Sequence, residues 1–378
     1  MDKPLNGFRV IEFSHMVMGP SCGLILGDMG ADVIKVEPSP VGDKTRELKG
    51  SGAGFFAAMN RNKRSVLLDL KNPEQLKIAY KLVASADVVI ENFRPGAMDK
   101  LGLGFEDLKA VKPDIIYMSA KGFLEGPYQN RTALDEVVQM MAGLAYMTGP
   151  EGRPLRAGAS VNDIMGGMFG VIGILSALLN RGKDSEAVHI ESGLYENCAF
   201  LATQHMAQKE VTGKAAAPMP SRIPSWTVYD IFDTQTAQVF VGVVTDSQWL
   251  KFCQTFGLED LLSDPALAQN KDRVLVRERF LPRIHELFLK ITAEDLMQKC
   301  EAINIPFAPI RRPEDLFDDQ HLVQSGGLLT INLPGGGQAT LPALPMTING
   351  QRFTLDHDIP KAGEHTDEIL RELGIDIS

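Results

Sequence analysis

Cysteine is scarce in this sequence, four among 378 residues. Cys22, Cys198, Cys253 and Cys300 stand far apart, with no CxxC pair and no histidine at metal-ligand spacing. That excludes a disulfide scaffold and the common zinc motifs, and no bound metal is expected. It fits reduced thiols in a cytoplasmic protein. Positive charge is also short: 38 Lys and Arg face 48 Asp and Glu, a net charge of −10. Such a balance argues against nucleic acid or an anionic membrane as the main partner. No uninterrupted apolar run reaches the roughly 18 residues of a membrane span. The opening MDKPLNGFRVIEF has no apolar stretch behind a basic segment, so no signal peptide is expected either.

What is present is ordinary for a globular chain, 44% hydrophobic and 23% charged. The length is large for one core and predicts two domains. Through residue 120, short apolar runs (FRVIEF, ADVIKVE, SVLLDL, ADVVIEN, DIIYMSA) alternate with amphipathic segments such as PEQLKIAYKLVAS. That alternation predicts an α/β fold with a parallel sheet. Glycine-dotted apolar segments over 134–182 predict buried helices, and 188–208 a strand followed by a helix. TGKAAAPMPSRIPS (212–225), rich in Ala and Pro, is the clearest linker. Beyond it come a hairpin over 228–244, helices to about 303, and a second hairpin around LPGGGQATLPAL. The closing GEHTDEILRELG has Thr366 to cap a helix, acids in its first turn and Gly374 to stop it.

Four places could carry chemistry. VIEFSHMVMGPSCGLILGDMGADVIKVE imitates a dinucleotide-binding unit ending in Glu37, but Gly19, Gly23, Gly27 and Gly30 do not form GxGxxG. Close helix packing is the better reading of those glycines. Arg61, Lys63 and Arg64 form a basic cluster that is either a phosphate site or a guarded strand edge. In ENFRPG a strand runs into an amide, an aromatic ring and a cation, where open α/β sheets bind ligands, although Pro-Gly is also a turn. Asp163 opens the greasy run GASVNDIMGGMFGVIGILSALLNRG, with Arg156 and Arg181 as its nearest charges. It reads either as a helix N-cap or as a carboxylate nucleophile that the helix N-terminus helps keep ionised.

Taken in order, PLNGFRVIEF, GPSCGLILGDMGADVIKVEP, GDKTR, NRNKRSVLLDLK, ENFRPGAMDKLGL, SAKGF, VVQMMAGL, DIMGGMFGVIGILSALLNR and GEHTDEIL resemble the family III CoA-transferases. That group holds the formyl-CoA:oxalate and crotonobetainyl-CoA:carnitine enzymes. The resemblance implies a Rossmann-like large domain, a smaller α+β domain and an interlocked homodimer. It divides the chain into 1–211, the linker 212–225, a small domain over 226–325, and a return segment over 326–378. It places the catalytic aspartate on Asp163, which would pass through an aspartyl anhydride and an aspartyl-CoA thioester. Acyl-CoA and a carboxylic acid are then substrates, and no prosthetic group is needed. The positions matching the family's CoA contacts are Val17, Met18, Leu68, Lys71, Asn92, Phe93, Arg94, Lys100, Arg131, Thr132 and Asp135, and His15 would orient substrate.

Departures narrow the reading. α-Methylacyl-CoA racemases share the implied fold but pair a histidine with an aspartate where this chain has Leu134 and Asp135. A two-base racemase lacking its histidine loses half its machinery. A CoA-binding protein without turnover remains the other alternative. The glutamine that helps handle oxalate in formyl-CoA:oxalate enzymes is absent after His15, and SWTVYDIFDTQTAQVF holds no glycine-rich loop. Oxalate is therefore disfavoured as acceptor, and succinyl-CoA is an expected donor.

Overall fold

The computed structural model describes residues 2–182 and 184–375. In chain order the larger unit contains β1 (Arg9–Phe13), α1 (Met18–Asp28), β2 (Asp32–Pro38), α2 (Phe55–Met59), β3 (Lys63–Leu68), α3 (Pro73–Ala84), β4 (Val88–Glu91), α4 (Ala97–Lys100), α5 (Phe105–Val111) and β5 (Ile116–Lys121). It continues with α6 (Asp135–Met141), α7 (Leu144–Thr148), α8 (Val161–Leu179), β6 (Val188–Gly193), α9 (Leu194–Leu201) and α10 (Thr203–Thr212). The strands form one parallel sheet in the order β3-β2-β1-β4-β5-β6. Its direction reverses between β1 and β4, and the crevice at the carboxyl ends there is where open α/β sheets take ligands.

Alternate strand residues serve opposite layers, which is why the strands read as nearly continuous apolar runs. Val10 enters the core beneath α1 and α8, while Ile11 and Phe13 enter the core with Leu82 of α3, Leu108 of α5 and Ile369. Each such fully buried side chain contributes roughly 1.5–3 kcal/mol. The glycines of α1 and α8 are explained by close approach. A Cβ on Gly167 would lie 2.0 Å from the Ser21 hydroxyl and 2.8 Å from the Met18 carbonyl oxygen. One on Gly27 would meet the Asn62 carbonyl at 2.8 Å. By length and composition α8 could cross a membrane, although Asn162, Asp163 and Ser176 interrupt its apolar run. Its glycine face instead packs on α1.

The chain divides into two compact units, Ser221–Asp319 and the remainder of the described residues. The smaller unit has an antiparallel sheet of β7 (Val228–Asp233), β8 (Gln238–Val243) and β9 (Phe307–Pro309). Its core centres on Phe232, Trp249, Phe252, Phe288 and Leu296. The chain leaves the larger unit inside the Ala/Pro-rich 212–225 segment and returns at Gln320 rather than 326, because the short helix Gln320–Gln324 belongs to the larger unit. The closing helix spans Thr366–Glu372, but its cap residue is His365. Thr366 does not cap it; its hydroxyl accepts from the Leu67 amide at 3.2 Å and so ties the return segment to β3.

Candidate active site

The loop after β1 is pinned at the sheet's switch point. Asn92, just past β4, accepts from the His15 amide at 3.0 Å and donates to the His15 carbonyl at 2.7 Å. Both polar ends of its amide are engaged. Met16 takes a left-handed φ of 63° and donates its N–H to the Thr45 hydroxyl at 3.1 Å. The exposed His15 ring sits edge-on to Phe93, centroids 5.5 Å apart, and desolvation pulls it below the ordinary histidine value. Helix α1 starts two residues beyond Met16, so its first N–H groups have no partner in their own helix.

A buried charge cluster supports this loop from below. Glu12, Lys35 and Lys63 are essentially without solvent exposure. Lys63 Nζ lies 2.7 Å from Glu12 Oε2, and Lys35 Nζ lies 3.2 Å from Glu12 Oε1 and 3.1 Å from Asp43. Lys35 also donates to the Ser14 carbonyl at 2.6 Å, and Lys63 to the Pro20 carbonyl and Asn60. Desolvation still drives Lys63 down to about 8, with Glu12 offsetting only part of it. Gly23 makes room for the cluster, since a Cβ there would lie 1.9 Å from Glu12 Oε2.

The third element is the start of α8. Its cap residue is Ser160, whose side chain makes no capping bond. Asp163 is the third helical residue, so it is not the N-cap that its sequence context allowed. Asp135 does that work: its Oδ2 accepts from the amides of Asn162 at 2.8 Å and Asp163 at 3.1 Å. Gln139, one turn along α6, donates to Asp135 Oδ1 and accepts from the Ala157 amide at 2.8 Å. Among the described residues nothing donates to the Asp163 carboxylate. Burial, reinforced by the negative charge of Asp135 and opposed by Arg156, pushes Asp163 up to about 7. Asp135 thus already occupies the N–H groups of Asn162 and Asp163, and Asp163 stands above the ordinary carboxylate range. Met18 of α1 reaches α8 one turn further on, beside Gly166.

The remaining candidates are distributed as follows. Val17 and Met18 are buried at the start of α1, and Leu68 is buried at the end of β3. Lys71, Arg94 and Lys100 are exposed beyond β3 and β4, and Phe93 is half-buried between them. These residues share the carboxyl edge of the sheet. Arg131 and Thr132 are exposed on the loop before α6, with the Arg131 guanidinium 5.0 Å from the Tyr128 ring centroid. Asp135 is buried, and its carboxylate is occupied by the α8 amides and Gln139. The basic cluster is not open to a phosphate, and although β3 is the sheet's edge strand these side chains are buried and paired rather than solvated. Arg61 pairs with Asp28 at 2.6 Å, Lys63 with Glu12, and Arg64 with Asp32, Glu368 and Glu372. Glu37, the imitation ribose ligand, is bound by Arg46 and Ser65.

Sequence reasoning missed Thr45, Gln139 and the role of Arg156. Only Gln139 left a signal, its spacing of one helical turn from Asp135.

Comparison with known proteins joins this geometry to a chemistry. The profile described as CoA-transferase family III matches residues 5–366. The succinate–glutarate CoA-transferase of Agrobacterium fabrum is 34% identical across 98% of this chain and 96% of its own. An acetyl-CoA:oxalate CoA-transferase of Acetobacter aceti is 32% identical across 95% and 92%. The crystal structure of a CAIB/BAIF family protein from Brucella suis superposes with a TM-score of 0.87 at 33% identity, over 99% of this chain and all of that one. The chain belongs to CoA-transferase family III and is an enzyme that transfers CoA.

Proposed function

We propose that the enzyme moves CoA from succinyl-CoA or a similar thioester to a dicarboxylic acid, with Asp163 as the covalent nucleophile. The observation that carries this reading is the division of labour between two acids at one helix start. Asp135 takes the helix amides, and Asp163 is left half-buried, without a donor among the described residues, and basic for a carboxylate. A more basic carboxylate is a stronger nucleophile once ionised.

Ionised Asp163 attacks the thioester carbonyl, forming a mixed anhydride and releasing CoA thiolate. The thiolate then attacks the aspartyl carbonyl, which frees the donor acid and leaves an aspartyl-CoA thioester. An acceptor carboxylate attacks that thioester, giving a second anhydride and thiolate. Attack of the thiolate on the acceptor's carbonyl yields the new acyl-CoA and regenerates Asp163. The N–H groups opening α1, which have no partner in their own helix, are suited to stabilise the tetrahedral oxyanions. The apolar neighbourhood of Ile164, Met165 and Met18 limits hydrolysis of the anhydrides.

CoA would lie along the sheet's carboxyl edge, with Lys71, Arg94 and Lys100 toward its phosphates, Phe93, Val17, Met18 and Leu68 along its length, and Arg131 and Thr132 at the loop before α6. His15 would face the thioester end. One relative is named for succinate and glutarate and another for oxalate, so it is the missing glutamine after His15 that favours succinyl and glutaryl groups over oxalyl. An interlocked homodimer is supported by apolar side chains left on the surface: Met168, Ile172 and Leu179 of α8, Phe200 of α9, and Met206 and Val211 of α10. A cytoplasmic setting is supported by four free cysteines, all buried.

Intact mass spectrometry after brief exposure to succinyl-CoA tests the nucleophile. A CoA-sized adduct is expected on the wild-type chain and not on Asp163→Asn. Adduct-free protein that instead washes an α-proton of an acyl-CoA into deuterated solvent would establish a racemase.

A further inference from the structure

We propose that Arg156 sets acceptor specificity, its guanidinium holding the remote carboxylate of a C4 or C5 dicarboxylic acid while the other carboxylate reacts at Asp163. The assignment rests on the transferase reading above and adds to it a residue and a shape of substrate.

Arg156 is only loosely paired at this corner. Its Nε donates to the Ala157 carbonyl at 3.0 Å, which fixes the base of the fork. Neither Nη atom makes a hydrogen bond among the described residues. The nearest acids, Asp135 at 3.8 Å and Glu136 at 3.7 Å, lie beyond hydrogen-bond length. Asp135 does not need the guanidinium, because two amides and Gln139 already serve its oxygens. Glu136 is more than half exposed, so its pairing is weak. Arg156 itself keeps 35% of its side chain open to solvent. An open planar fork with four unfilled N–H groups is the geometry that grips a carboxylate with two parallel bonds.

The position fits a bridging substrate. Arg156 and the Asp163 amide approach different oxygens of the one Asp135 carboxylate, Oδ1 and Oδ2. The guanidinium is therefore one carboxylate away from the start of the nucleophile's residue. Its charge is also felt at Asp163. From ordinary bond lengths, two or three methylenes separate the carboxyl carbons of a diacid by roughly 4–5 Å. The directly joined carboxyls of oxalate are about 1.5 Å apart and span much less. Several buried or half-buried cations of this unit are committed elsewhere: Lys121 to Glu91, Arg181 to Asp87 and Asp114, Arg61 to Asp28, and Arg64 to its three acids.

The test compares glutarate with its monomethyl ester as acceptor from succinyl-CoA, and succinate with its monomethyl ester as acceptor from glutaryl-CoA, so that donor and acceptor acids always differ. In a double-displacement reaction kcat/KM for the acceptor reports only on steps after the donor acid has left, so the donor's own carboxylate does not enter. Wild type is expected to favour each diacid over its ester by about 10- to 100-fold, the range for hydrogen bonds to a charged group. Arg156→Gln should bring that ratio near unity, chiefly through KM, and Arg156→Lys should restore part of it. Equal losses for diacid and ester would mean that Arg156 only holds the loop, and an unchanged ratio would mean that it does not touch the acceptor. Either result overturns the proposal, as does a wild type that prefers the esters or transfers CoA to neither diacid.

Intact mass after succinyl-CoA exposure separates the two readings. If the Asp163 adduct forms in wild type and in Arg156→Gln but the ratio does not move, the Arg156 assignment alone fails, on folded and reactive protein. If the ratio moves as expected and no adduct forms on Asp163, the nucleophile assignment alone fails.

Discussion

Two buried acidic regions lie close together in the larger unit, and they treat their charges in opposite ways. Under the His15 loop, Glu12 has a lysine on each side of its carboxylate, and both lysines hold further oxygens. At the start of α8, Asp163 has no donor among the described residues, and the charges that act on it are an acid and a loosely placed arginine. Burial penalises charge in both places, yet only the first provides the counter-charges and hydrogen bonds that make burial tolerable. The first region therefore holds the fold in shape, and the second retains a reactive group at a cost in stability.

If that contrast is right, neutralising each acid should move stability in opposite directions. Glu12→Gln leaves Lys63 and Lys35 buried and short of a partner, and breaking a buried pair costs about 3–5 kcal/mol. Urea unfolding of Glu12→Gln should show that loss. The double variant Glu12→Gln with Lys63→Met should recover much of it, because the lysine that remains, Lys35, still has Asp43 at 3.1 Å. Recovery that fails to appear would mean that the cluster matters through packing rather than charge.

Asp163→Asn should do the reverse. An unfolded aspartate titrates near 3.9, whereas folding raises Asp163 to about 7. Between those values the folded chain binds the proton more tightly, so the wild type loses stability as pH rises through that window. Asparagine has no such dependence. The variant should be more stable than wild type at pH 8 by about 2–4 kcal/mol, with the gap closing toward pH 4. Thermal unfolding across that range reads it directly, and a gap that does not vary with pH would show that Asp163 is not raised. The same variant should be inactive, so stability and activity would part at one residue.

Much of this arrangement was legible before the structure. The alternation of apolar runs gave the parallel sheet because strands buried on both faces must be apolar throughout, and the Ala/Pro-rich segment marked where the chain leaves the larger unit. The glycines of α1 and α8 announced close packing. The capping assignment failed because a helix start can be served from another helix. Asp135 is distant in sequence, and nothing local to Asp163 reports it. Arg61, Lys63 and Arg64 misled for a related reason. Their partners Asp28, Glu12 and Glu372 are scattered along the chain, and only the strand order brings them together. Arg156 could not be singled out, because an unfilled hydrogen-bonding fork becomes visible only once the neighbours that might have filled it are placed.

The subtlest difference between the regions lies in Asp135, which acts on Asp163 both through the backbone and through its charge. Asp135→Asn separates the two roles. An asparagine oxygen can still accept from the Asn162 and Asp163 amides, so the cap is kept, but the negative charge is gone. Asp163 should then fall from about 7, helped further by Arg156, which has lost one of its two acidic neighbours. Transfer requires ionised Asp163, so the wild-type rate should drop as pH falls through about 7, and in the variant that drop should lie about one pH unit lower. The ratio of kcat/KM at pH 6 to that at pH 8 would rise accordingly. A profile that stays in place would confine Asp135 to capping and leave burial alone responsible for the basicity of Asp163. A profile that moves upward would mean that the amide disturbs α8 more than the lost charge relieves its neighbour.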